Sequence, residues 1–197
     1  VQIGILLVQS VINSFGSTAI AGYSAGMRIE SLSIVPMLAM GNAMSTFTAQ
    51  NMGAGKIDRV KEGYRMCYVI VLTAGAVLCV MYQLAGGAFV SLFLDSGSSE
   101  AYSVGLSYVK FLSFFYSFIG LKASTDGLLR GAGDVTAFTV ANLVNLAIRV
   151  SVTNLFAPVY GIQVAWMAVP LGWAANYVIS FGWYLTGKWK KVRVIKK

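Results

Sequence analysis

Apolar residues run along this chain in blocks too long for ordinary soluble helices, and the polar positions that interrupt them fall at helical spacing. A bilayer core about 30 Å thick requires about 20 consecutive apolar residues in helical form. Five stretches meet that requirement, at 27–52, 60–85, 101–128, 134–157 and 161–187, and a shorter run at 1–15 reads as a sixth helix. Only helices and closed barrels satisfy every backbone group in lipid, and runs this evenly apolar lack the period-two alternation of barrel strands. The pattern predicts an all-α integral membrane protein built as a six-transmembrane-helix bundle. Because Val1 already stands inside an apolar run, the natural N-terminus is expected upstream.

Composition agrees with the pattern. Of 197 residues, 57% are hydrophobic and only 11% charged, against about 25% charged in soluble domains, and mean hydropathy is +0.70. The net charge of +8 would suit nucleic acid, but six of the fifteen basic residues fall in the last ten positions. The connections at 16–26, 86–100 and 158–161 carry no Lys or Arg. Those at 53–65 and 130–134 and the tail from 188 hold Lys56, Arg59, Lys61, Arg65, Arg130 and the terminal cluster. This asymmetry predicts a multi-pass protein of the cell (plasma or inner) membrane with a cytoplasmic C-terminus. The tail at 188–197 then reads as an anchor on the bilayer, not as a nucleic-acid arm.

Histidine is absent, which excludes imidazole metal sites and Ser-His-Asp triads. Cys67 and Cys79 lie about 18 Å apart along one helix, beyond disulfide reach. The stretch Asn51–Lys56 lacks the first glycine and the final Ser/Thr of a phosphate loop. No nucleophile–base pair can be assembled, so no enzymatic chemistry and no cofactor are expected.

Polar residues inside membrane spans face protein or a wet cavity, since charges at helix centres cost about 2.5–3.5 kcal/mol on insertion scales. Gln2, Gln9 and Asn13 share one face of the first helix, and Asn142, Asn145, Arg149 and Thr153 share one face of the fifth. Ser103, Ser107, Lys110, Ser117 and Ser124 form a third stripe, which reads chiefly as close helix packing, like the Gly22/Gly26 and Gly127/Gly131 pairs. Glu30 precedes Pro36, whose missing N–H frees the carbonyl of Leu32. Glu30 therefore reads either as a cation or proton site, with Na+ near the carboxylate, or as an interfacial ion pair with Arg28. Asp126, flanked by Lys122 and Arg130 at four-residue spacing, reads as a salt-bridge chain or a second ion-coupling acid. Met37, Met40 and Met44 read chiefly as plain helix packing, or else as an adaptable apolar surface, and Trp183 and Trp189 suit an interfacial belt.

The run QSVINSFGSTAIAGYSAGMRIESLSIVPMLAMGNAMSTFTAQNMGAGKIDRVKEG (9–63) resembles the seventh and eighth helices of MATE (multidrug and toxic compound extrusion) transporters. LLRGAGD (128–134) resembles the loop after their tenth helix, and PVYGIQVAWMAVPLGW (158–173) the start of their twelfth. The resemblance implies the C-terminal lobe of a twelve-helix exporter whose N-terminal lobe is missing here. Such proteins exchange Na+ or H+ for small organic, often cationic substrates by alternating access. It carries the ion-binding role to Glu30. It places Ile119 where some members have an acid in the tenth helix, and Asn145 where many have one before the eleventh-helix arginine. The expected ion and substrate cavity comprises Glu30, Gln9, Asn13, Asn142, Asn145, Arg149, Asp126 and Met37. Two other readings stay open: a lipid-linked oligosaccharide or polysaccharide flippase of the same superfamily, and a non-transporting membrane scaffold.

Overall fold

The computed structural model describes residues 2–95 and 100–191, and every regular element among them is helical. The order is α1 (Gln2–Asn13), α2 (Ser17–Gly53), α3 (Ile57–Val90), α4 (Glu100–Ser113), α5 (Tyr116–Gly131), α6 (Val135–Tyr160) and α7 (Ile162–Leu185), followed by a 3-10 turn at Lys188–Lys191. Helices α2, α3, α6 and α7 are each long and apolar enough to cross a bilayer. Helices α4 and α5 together make a fifth span bent by 53°. α1 supplies the sixth segment, packed mainly on α6. Both cysteines are free.

The six expected segments occur in order, with two corrections. The connection expected at 16–26 is helical: α2 begins at Ser17, immediately after Gly16, whose φ of 88° suits glycine. Its 37 residues measure about 55 Å. Small residues that would mark a loop in water are a packing surface in lipid. A Cβ on Gly22 would strike the carbonyl of Ala101, and one on Gly26 the ring of Tyr108. α3 likewise runs on to Val90, so the connection expected at 86–100 shrinks; its residues 96–99 lie outside the described ones.

The second correction concerns the span expected at 101–128, which is two helices. Around the break the backbone tightens to three-residue steps, with Phe115 N–H on the Leu112 carbonyl and Phe118 N–H on the Phe115 carbonyl, both at 2.9 Å. The amide of Gln83 on α3 donates to the Lys110 carbonyl and to Ser113 Oγ, each at 2.9 Å, while Ser113 Oγ itself donates to that carbonyl at 2.7 Å. A side chain entering the helical ladder is a recognised cause of a kink. The break also divides the serine stripe: Ser103 and Ser107 stay exposed, while Ser124 is buried against Cys67 Sγ at 3.1 Å.

Helix α2 is the spine, packing along α4 with its first half and α5 with its second. A Cβ on Gly127 would meet the carbonyl of Gly41, and one on Gly131 the carbonyl of Ser45. Helices α6 and α7 form an antiparallel pair joined at Gly161, whose φ is 90°. Asp134 holds both ends of that pair, accepting from Ala137 N–H at 3.4 Å and from Trp183 Nε1 at 2.6 Å. Trp189 corrects the interfacial reading. It is fully buried, stacked on Tyr184 with centroids 5.6 Å apart, and donates to the Tyr184 carbonyl at 3.1 Å. Residues 192–197 of the basic tail lie outside the described ones.

Candidate functional site: two buried acids in a helical lobe

Glu30 is the fourteenth residue of α2 and only 9% exposed. It shares the inward face with Ile29, Ser33 and Met37, whereas Leu32, Val35 and Pro36 point outward. The carbonyl freed by Pro36 therefore lies on the far side of the helix, and the expected pairing of Glu30 with it is not made. Nor does Glu30 pair with Arg28, which is exposed and sits over the Phe93 ring at 5.9 Å. Its carboxylate instead accepts the phenolic O–H of Tyr108 from α4. Tyr108 is fully buried, with Tyr23 and Trp166 set edge-on to it at 5.3 and 5.6 Å. Arg149 on α6 stands near enough for its charge to act on Glu30 and Tyr23. One turn along α2, Ser33 Oγ meets Tyr82 OH at 2.6 Å. Leaving a carboxylate this buried as a bare, unpaired charge is costly.

Asp126 on α5 is 5% exposed and tied to three helices. Lys122 Nζ reaches Oδ2 at 2.9 Å and Asn142 Oδ1 at 3.1 Å, while Asn142 Nδ2 donates to the same Oδ2 at 3.2 Å. Ser180 Oγ on α7 donates to Oδ1 at 2.7 Å. The expected chain is thus half correct: Lys122 pairs with Asp126, but Arg130 turns away to Asn42 Oδ1 at 2.7 Å.

The other expected site residues divide. Asn142 belongs to the Asp126 cluster. Asn145 and Arg149 line the α6 face that meets Gly172. Gln9 and Asn13 hydrogen-bond to each other at 3.0 Å near the open face of α1, apart from both acids. Met37, 1% exposed, packs toward Gly120. Tyr108, Trp166, Asn176 and Ser180 were not among the expected site residues. For Asn176 a signal existed, since a lone amide midway along an apolar span usually has a job. For Tyr108 none did, because aromatic residues are common in such helices.

The α4–α5 break and Pro170 on α7 also frame an apolar pocket of about 180 Å³, whose lining includes Phe111, Phe115, Phe118 and Met167.

A bundle of apolar spans, one of them broken, with carboxylates buried on its inner faces defines a polytopic helical membrane protein. Residues 1–155 match the MatE family model, and the chain belongs to that family. It is 29% identical over 192 residues to the probable multidrug resistance protein YpnP of Bacillus subtilis (strain 168), covering 97% of this chain and 43% of that protein. Two solved structures share the fold. An outward-facing multidrug resistance MATE family transporter of the MOP superfamily aligns with a TM-score of 0.85 at 17% identity, covering 93% of this chain and 41% of that one. An inward-facing one aligns at 0.83 and 18% identity, covering 93% and 42%. The chain thus spans about two-fifths of the relatives it matches.

Proposed function

We propose that the full-length protein is a secondary active multidrug exporter that expels small organic, often cationic compounds in exchange for Na+ or H+. The observation that carries this reading is Glu30, buried in a membrane lobe, held by Tyr108 and without a salt bridge among the described residues. A carboxylate in that setting gains most by taking up a small cation, and loses that advantage when the lobe opens to water on the other side. Na+ or H+ entering at Glu30 biases the two lobes toward one orientation, and cargo binding biases them toward the other. The apolar pocket at the helix break suits the greasy part of such cargo. This lobe aligns equally well with inward- and outward-facing relatives, which supports rocking of intact lobes. The positive charge of the basic connections and of the tail supports a cytoplasmic side for that face and for the C-terminus, in the cell membrane.

The test is ethidium efflux from vesicles holding the wild-type protein, with Na+ and pH gradients imposed separately. Efflux is expected to follow one gradient and to stop when it is collapsed; efflux indifferent to both would refute the exchange. A flippase of lipid-linked sugars is the second reading. It is favoured by Arg149, half-buried and in no salt bridge among the described residues. It requires anionic lipid carriers, rather than organic cations, to compete for the site.

A further inference from the structure

Six buried side-chain polar atoms among the described residues have no hydrogen-bond partner, and four of them lie on α6 and α7: Asn145 Oδ1, Thr153 Oγ1, Trp166 Nε1 and Asn176 Nδ2. Asn176 and Thr153 are at most 1% exposed. Their positions follow from the antiparallel register of the two helices. Asn142 and Ser180 meet at Asp126, and Asn145 and Arg149 meet Gly172. Asn176, one turn from both Gly172 and Ser180, therefore lies level with Asn145. Thr153 and Trp166 lie beyond Gly172 on the same two helices. From Ser180 to Trp166 the row extends about 21 Å. At one end Trp166 touches Tyr108, the partner of Glu30; at the other Ser180 touches Asp126.

Buried polar groups are nearly always satisfied, by ordered water where protein does not reach. The chemistry of this row identifies the ligand. Trp166 Nε1 and Asn176 Nδ2 can only donate, Asn145 Oδ1 can only accept, and Thr153 Oγ1 does both. A cation would want acceptors throughout and an anion donors throughout, whereas water takes both. We propose that α6 and α7 enclose a file of internal waters running from Trp166 to the Lys122–Asp126 pair, which lets protons reach Asp126 from the tyrosine-lined end of the lobe.

Transfer along the file balances simply. Each water accepts one proton and passes another on, so one proton leaves the terminal water and forms one O–H bond on the Asp126 carboxylate, with no change of oxidation state. Asp126 becomes neutral and Lys122 keeps its charge, retaining Asn142 Oδ1 as acceptor. Lys122 is the charged group bonded to Asp126; α6 presents Asn142, and α7 presents Ser180 and Asn176, all uncharged. The file stands whichever cation drives transport, so it is tested apart from efflux.

Radiolytic hydroxyl labelling of the purified full-length protein reads bound water next to reactive side chains. Normalised to intrinsic reactivity and to exposure (5% for Trp166, 1% for Met37), Trp166 is expected to label several-fold above Met37, which packs toward Gly120. Asn176→Leu is expected to bring Trp166 down to the Met37 level. Equal labelling of Trp166 and Met37 in the wild type would overturn the proposal, and that comparison needs no variant to fold. Infrared spectra give the second readout. The Asp126 carboxylate band, assigned by its loss in Asp126→Asn, is expected to shift on transfer to D2O, and to do so more slowly in Asn145→Leu. An Asp126 band that does not shift, or that shifts as fast in Asn145→Leu, would remove the proton route.

Discussion

Gly127 has no room for a side chain, because a Cβ there would run into the carbonyl of Gly41 on the facing helix. Helices in lipid gain little from excluding water, so their association rests on close contact between backbones. Gly127→Leu is therefore expected to separate α5 from α2 and to cost about 1–3 kcal/mol, read as a lowered melting temperature in detergent; an unchanged melt would mean the two helices do not rely on that contact. Glu30 was legible from sequence as an acid where lipid tolerates few. Its partner was not, because Tyr108 lies 78 residues away and nothing in its local pattern distinguishes it. Met37 lies on the inward face that helical spacing marked, packed toward Gly120.

At the scale of elements, segment number and order were legible because bilayer thickness fixes the length of an apolar run. The start of α2 was hidden because glycine and serine serve both turns and tight helix contacts, and only the facing helix decides between them. The α4–α5 break was hidden because its cause, Gln83, belongs to α3. Gln83→Leu alone is expected to cost about 1 kcal/mol, since Ser113 still serves the Lys110 carbonyl. Adding Ser113→Ala leaves that carbonyl with neither side chain, and the pair is expected to lose about 3 kcal/mol. Unfolding in denaturant on single and double variants checks this, and simple additivity of two small effects would argue against a shared role at the break.

For the whole molecule, the orientation drawn from charge places the α2–α3 connection and the C-terminal turn on one side. Single cysteines at Lys56 and at Lys190, in a background lacking Cys67 and Cys79, are expected to react with an impermeant thiol reagent only when the cytoplasmic face is exposed. Labelling of the two from opposite sides would break the topology. The function proposed above depends on one carboxylate coupling two gradients. The most direct test is cation-driven ethidium efflux from vesicles carrying equal amounts of wild-type or Glu30→Gln full-length protein. The expected result is loss of gradient-driven efflux in Glu30→Gln with expression and folding unchanged; wild-type rates in that variant would contradict the account.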